Sequence, residues 1–377
     1  MRKFLAALAL VPALLAGRAV AAPVTDCPLR DTPFSVASPI IDLMLSPAAR
    51  AVVDRHAPGL LDHLPMNAGT TPPTFASIIT LREMMGLGAL MGQPRADSDI
   101  AATLAPIAAE LAKLPVTAAD RVARCMRYDN DRQGFHLPAG HPRLLLFEKI
   151  NGFKDTPSVD AAHAAFLDLA KANGWSMVVS DKGGAFTRDG LRQFDAVIWN
   201  NISGDVLTLS QRAAFKAWME HGGGFIGVHG AAGDPNYWWD WFPDTLIGAR
   251  FAGHPYPKQF QPARVRLDDP ADPLAAGLPH EWTMTEEWYS FKNNPRATGS
   301  HILATLDEST YTPVFLGKNL GMGSDHPIAW SRCIGAGRMF YSAIGHRPEM
   351  YAEPIYRRML TNAVGWAATR EGRRCGQ

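Results

Sequence analysis

Gly222-Gly223-Gly224-Phe225-Ile226-Gly227-Val228-His229-Gly230 is the stretch that decides the fold. Residues 225–228 form a short apolar run between glycine-rich turns, too brief for a helix, and read as a strand buried on both faces. The run passes without a spacer into His229-Gly230-Ala231. Small residues at Gly227 and Ala231 bracket the histidine, the pattern of a nucleophile elbow with imidazole at the elbow position. The glycines let the chain turn sharply without Cβ clashes, which exposes the elbow side chain at the edge of a sheet.

Working outward, residues 143–147, 175–179 and 195–199 are apolar runs of the same kind. Helical patterns alternate with them: residues 159–173, closed by Gly174, and a helix that Ser210 caps and that runs through His221 to stop at Gly222. Strands are also expected at residues 327–332 and 338–344, with a closing helix over 351–368. This alternation is the signature of an α/β fold with a mainly parallel central sheet flanked by helices. Upstream the texture differs. Residues 47–56 read as a helix with Ser46 as N-cap and Pro47 in its first turn, stopped by Pro58-Gly59. Residues 74–85, 101–114 and 117–128 repeat the theme, the last opening with Thr117 three residues before Asp120, as in a capping box. Residues 22–138 thus form an all-helical N-terminal extension, in which Met84, Met85 and Leu87 serve as core. A linker containing Gly134, Pro138 and Gly140 leads into an α/β domain over 141–370.

The chain has 377 residues, 47% hydrophobic and 19% charged, enough to bury two cores. Thirty-seven Lys and Arg balance 36 Asp and Glu, and no basic block points to a nucleic acid. A small or neutral ligand is expected, and a second copy of the chain is an open partner. Residues 1–21 read as an export signal: Arg2 and Lys3, an apolar stretch over 4–16, and Ala19-Val20-Ala21 before the cut at Ala22. That stretch is shorter than the ~20 residues a membrane span needs, and no later segment qualifies. The mature protein is expected in the periplasm or outside the cell, where Cys27, Cys125, Cys333 and Cys375 can pair. Four cysteines allow three connectivities, and the absence of a CxxC pair argues against a cysteine zinc site.

In open parallel sheets ligands bind beyond the carboxyl ends of the strands. Three places qualify: the loop after Phe147, His229 after Val228, and His346 after Ile344. Imidazole at the elbow suits a general base, a general acid or a metal ligand, and is a poor covalent nucleophile beside a thiolate. A histidine hydrogen-bonded within a tight turn is the structural alternative.

Several blocks carry a resemblance to a known family. Phe194-Asp195-Ala196-Val197-Ile198-Trp199 leads into residues 215–229, and Phe251-Ala252-Gly253-His254-Pro255, Thr285-Glu286-Glu287-Trp288-Tyr289, His326-Pro327-Ile328-Ala329-Trp330 and Gly337-Arg338-Met339-Phe340-Tyr341 with Gly345-His346 follow in order. Together, from about residue 141 onward, they resemble the ThuA-like (trehalose-utilisation) family. That family is related to class I glutamine amidotransferases, so the resemblance implies an amidotransferase-like, flavodoxin-like sheet. His229 stands where those enzymes carry their nucleophilic cysteine, and ordinary glutaminase chemistry is excluded. His346-Arg347-Pro348-Glu349 falls where they carry their H-P-E histidine and glutamate.

The same blocks supply His254, Glu287 and His326, so the resemblance implies a pocket of up to four imidazoles and a carboxylate. His229, Glu287 and His346 are the candidate catalytic residues. His254, Trp288, Tyr289, His326, Trp330 and Arg347 are the candidate substrate-binding residues. His229, His254, Glu287 and His346 are candidate ligands for zinc or another divalent metal, against metal-free acid/base work by the same groups. His254 and His326 each precede a proline, a setting in which the ring also serves structurally. Trp288 and Trp330 are the expected sugar-stacking faces, with core packing as the competing role. Two positions depart from the family: Gly152-Phe153-Lys154-Asp155 lacks its usual Arg-His pair, and Asp272-Pro273 replaces a frequent His-Pro. The reading that results is an exported enzyme of carbohydrate catabolism, acting on a trehalose-like compound or keto-glycoside. A carbohydrate-binding module with a relic site and a metal-dependent hydrolase of another small substrate are the alternatives.

Overall fold

The computed structural model describes residues 23–62, 68–369 and 375; the expected export signal lies outside them. In chain order the strands are β1 (Arg143–Phe147), β2 (Ser176–Ser180), β3 (Ala196–Asn200), β4 (Gly224–Val228), β5 (Phe251–Gly253), β6 (Phe260–Leu267), β7 (Glu281–Glu287), β8 (Ser290–Phe291), β9 (His301–Asp307), β10 (Val314–Phe315), β11 (Lys318–Asn319), β12 (His326–Ile334) and β13 (Gly337–Ser342). Nine of them form one sheet in the order β2-β1-β3-β4-β13-β12-β9-β6-β7. From β2 to β13 neighbouring strands are parallel. From β13 to β7 they are antiparallel.

The parallel half is the α/β unit expected from the sequence. Every residue of β3 and β4 is buried, which is why those strands read as unbroken apolar runs. The antiparallel strands β6 and β7 alternate buried and exposed residues along most of their length, a weaker signal that leaves them hidden in the sequence.

Helices α1 (Ile40–Leu45), α2 (Pro47–His56), α3 (Leu81–Gly86), α4 (Asp97–Leu111) and α5 (Ala118–Cys125) precede the sheet, and α6 (Thr156–Asn173), α7 (Arg188–Leu191), α8 (Leu209–Glu220) and α9 (Pro354–Ala367) accompany it. Among the boundaries that differ from the sequence expectation, three have a clear local cause, a capping bond in two and a proline in the third. The stretch 74–85 divides into a 3₁₀ turn at Phe75–Ser77 and α3, whose start Thr80 fixes in a capping box with Glu83. Helix α8 is capped by Thr208 in a box with Gln211, while the Ser210 amide donates to Asp26. Pro354 sets the first turn of α9, so residues 348–352 form a separate 3₁₀ turn.

The N-terminal helices bury an apolar core of their own around Ile40, Val53, Leu81, Met84 and Ile107, distinct from the core of the sheet. Disulfides join Cys27 to Cys125 and Cys333 to Cys375, one of the three connectivities and of a kind that oxidising compartments permit. Among the described residues no helix is long and apolar enough to cross a membrane.

Candidate functional site

Strands β4 and β13 lie side by side and parallel, with Val228 opposite Ser342. The residues that follow them therefore emerge at neighbouring carboxyl ends, which brings His229 and His346 together from 117 positions apart. His229 takes the left-handed conformation itself, with φ 40°, so the strained residue of the elbow is the imidazole-bearing one and not a glycine. The Tyr341 hydroxyl donates to its carbonyl at 2.8 Å and holds it there. Ahead of His346, Gly345 has φ 131°, and a Cβ at that position would lie 2.5 Å from the Tyr351 hydroxyl. A tight approach to Tyr351 thus requires glycine where β13 ends.

The third member comes from far away. Glu287 ends β7, at the opposite edge of the sheet, and the chain then turns back over the strand ends. Tyr289 lays its ring against His229, with centroids 4.2 Å apart, and Phe291 packs on Trp330 and Tyr341. Glu287 is thereby fixed with Oε2 at 3.2 Å from His229 Nε2 and 3.1 Å from His346 Nδ1. The two ring nitrogens are 3.1 Å apart. The Ala343 carbonyl, which can only accept, sits 2.8 Å from His229 Nδ1 and places the proton of neutral His229 on that atom. Nε2 is left as a lone pair, and the proton on His346 Nδ1 faces both it and Oε2.

Burial lowers the pKa of His229 and favours its neutral form. Burial alone would raise that of Glu287, but its contacts with His229 and His346 and the nearby His254 hold it well below the usual carboxylate range. His346 is raised: burial opposes its charge, and Glu287 more than compensates. These directions favour a carboxylate paired with the charged form of His346 beside the neutral form of His229.

His254 joins on the other oxygen, with Nδ1 3.3 Å from Oε1, where the Gln259 amide also donates at 2.5 Å. His229 Nε2, His346 Nδ1 and one Glu287 oxygen thus form a group of potential ligands, and His254 stands outside it. Metal-binding histidines commonly donate their second N–H to a carbonyl, as His229 does to Ala343. The three ligand atoms lie 3.1, 3.1 and 3.2 Å from one another, near enough for all three to hold a single ion. The donor set of two imidazoles and a carboxylate suits a borderline divalent metal.

Other expected residues lie elsewhere. His326 is fully buried, its Nδ1 2.6 Å from Glu308 Oε1 and its Nε2 2.8 Å from the Tyr289 carbonyl, so it braces Tyr289 and does not line a pocket. Trp288 and Trp330 correct the expectation of stacking faces. They are 1% and 0% exposed, with their indole N–H groups on the carbonyls of Gln261 and Ile247. No face of either ring is open to a sugar. Glu349 is turned to solvent against Arg347, so the H-P-E-like motif contributes only its histidine. The Arg347 amide instead donates to Glu286. Lys154 is exposed, and Asp272 caps a 3₁₀ turn while pairing with His301.

Two residues of the site escaped the sequence reading. Glu286, fully buried, accepts the amides of Glu287, Gly345 and Arg347 and so ties the end of β7 to the His346 loop; burial pushes its carboxyl up to about 7. Its position beside Glu287 was the one available signal. Gln259 gave none, since a surface-type amide in a loop is unremarked until the fold brings it to a carboxylate.

A family profile described as trehalose utilisation, ThuA, matches residues 143–367. No curated protein matches the chain. Among solved structures, a ThuA-like protein of Bacteroides uniformis is 24% identical, with a TM-score of 0.54 over 64% of this chain and 97% of its own. A ThuA-like protein of Parabacteroides merdae is 16% identical, with a TM-score of 0.45 over 60% of this chain and 90% of its own. The first shares the fold, and the profile spans the whole sheet together with both strand ends that carry the histidines. The chain belongs to the trehalose-utilisation (ThuA) family, whose role at the family level is carbohydrate-related.

Proposed function

We propose that the protein is an exported enzyme of carbohydrate catabolism that acts on a trehalose-like compound or keto-glycoside through proton transfer at His229, Glu287 and His346. The observation that carries this reading is a buried carboxylate shared by two imidazoles at paired strand ends. Such a cluster costs stability and is found mainly where chemistry needs it. Glu287 or the Nε2 lone pair of His229 takes a proton beside a carbonyl or from water, and His346 returns one to the departing oxygen. With imidazole at the elbow there is no thiolate to form the covalent intermediate of a glutaminase. Export is supported by the n-region, apolar stretch and A-x-A site of residues 1–21 and by the two disulfides. The test is turnover of a panel of 3-keto-glycosides by single variants of His229, Glu287 and His346. Unchanged turnover in all three would remove the proposal.

Metal-assisted chemistry at the same cluster is a second reading, favoured by the near-equilateral triangle of ligand atoms. A divalent ion there would polarise a carbonyl or lower the pKa of a bound water. His229, Glu287 and His346 would hold it, and His254 and Gln259 would orient the carboxylate from its other oxygen. Elemental analysis of active protein decides: turnover without stoichiometric metal rules this reading out and leaves the metal-free one.

A further inference from the structure

Large apolar side chains exposed to solvent are few among the described residues, seven in all; Phe260 adjoins the Glu287 cluster directly, and Tyr256 and Leu316 are tied to it through Phe315 and His254. Phe260 is 43% exposed and opens β6 directly opposite Glu287 in β7. Its ring lies 5.2 Å from that of His346, edge to face, with the Arg347 guanidinium 6.0 Å above it. On the other side of the carboxylate, Phe315 stands edge-on to His254 at 6.4 Å, and Tyr256 packs on Phe315 at 6.3 Å. The two oxygens of Glu287 are thus each flanked by an imidazole, and each imidazole by an aromatic ring.

The second flank is a built feature. Strands β10 and β11 pair as a hairpin whose two turn residues, Leu316 and Gly317, both have positive φ, 47° and 85°. That is the backbone of a type I′ turn, which favours Asn or Gly at its first position. Leucine there carries a strain cost without a packing reward, because its side chain is 37% exposed. The hairpin is fastened to the segment after His254 by the Tyr256 amide on the Val314 carbonyl at 3.0 Å and the Leu316 amide on the Tyr256 carbonyl at 3.1 Å. The strained turn is therefore held beside Tyr256 by two backbone bonds.

We propose that Phe260 on one side and Tyr256 with Leu316 on the other form the platform on which the sugar rings of the substrate rest, the role that the buried Trp288 and Trp330 cannot fill. The inference rests on the carbohydrate reading of the cluster. A pyranose offers apolar C–H faces to aromatic rings and hydroxyls to planar polar groups; Gln259 and Arg347 adjoin the platform to meet the latter. A two-sided rim also suits a disaccharide better than a single ring, since the flanks lie on opposite sides of the carboxylate.

The experiment uses the full-length mature protein with 3-keto-trehalose, methyl 3-keto-α-glucoside and unoxidised trehalose as probes. Phe260→Ala is expected to raise KM for the keto-sugars about tenfold with kcat within twofold, and Phe260→Trp to restore it. Tyr256→Ala and Leu316→Gly should raise KM for 3-keto-trehalose more than for the single-ring glucoside. Melting temperature should stay near the native value in Phe260→Ala and Tyr256→Ala, whose side chains are partly exposed, and should not fall in Leu316→Gly, where glycine relieves the positive φ. Native turnover with KM unchanged in Phe260→Ala and Tyr256→Ala overturns the platform and leaves the proposed function standing. No binding or turnover of any probe by the native protein overturns both.

Discussion

His229 Nε2 and His346 Nδ1 face each other at 3.1 Å across the ends of two adjacent parallel strands. With Nδ1 of His229 committed to the Ala343 carbonyl, a single proton on His346 lies between a neutral imidazole and the Glu287 carboxylate. The three groups act as one unit. Removing any one leaves the other two with an unmatched lone pair or charge in a buried site.

This unity sets the first prediction. Under the proposed function, His229→Ala, Glu287→Gln and His346→Gln should each lower kcat/KM for keto-glycosides by about 10²–10⁴. The double variant His346→Gln/Glu287→Gln should fall little further than the worse single one, because the partners share one proton. Steady-state kinetics of singles and double provide the check, and additive losses would show the groups to work independently.

Asp234 gives a pH signature of stability away from the cluster. It is buried, accepting from Ser203 Oγ at 2.5 Å and the Gly204 amide at 2.6 Å, and burial raises its pKa to about 7. In the unfolded chain an aspartate titrates near 3.9. The native state thus binds the proton more tightly, its contribution is fully present below about pH 4, and it is lost as pH rises toward and past 7. The loss across that window is at most on the order of 4 kcal/mol. Urea unfolding between pH 4 and pH 8 should show a stability decline that Asp234→Asn flattens, while Glu286, also raised to about 7, keeps a residual slope.

The Cys27–Cys125 disulfide closes a separation of 98 residues and ties the start of the described chain to α5. Constraint of the unfolded chain over such a loop contributes about 4–5 kcal/mol in the chain-entropy description. Replacing both cysteines by serine should lower the unfolding midpoint by a corresponding amount, read by denaturant titration of oxidised protein. An unchanged midpoint would mean that the helical region is held by its own core alone.

Trp330→Phe separates packing from binding. The indole N–H bonds to the Ile247 carbonyl in a fully buried position, so its loss leaves an unpaired acceptor and a gap. Stability should fall by about 1–3 kcal/mol. KM for the keto-glycoside should stay within twofold, a result that enzyme assays at a temperature well below the transition can resolve.

By itself the sequence determined the parallel half of the sheet and the elbow. Residues 225–228 and 196–199 must be strands buried on both faces because no other element accepts so short an unbroken apolar run between turns. It also placed His229 and His346 at strand ends, since local pattern alone says where a strand stops. Of the antiparallel half, β12 and β13 were legible, while β6 and β7 were obscure because alternating strands carry half the apolar signal. Only the tertiary structure decided which side chains meet. Glu287 reaches His229 because a strand at the far edge of the sheet turns back over its centre. His326 and the two tryptophans leave the site because burial and backbone carbonyls claim their polar atoms. Phe260, Tyr256 and Leu316 carry no sequence signal, because an apolar residue announces its type and not whether the fold will cover it.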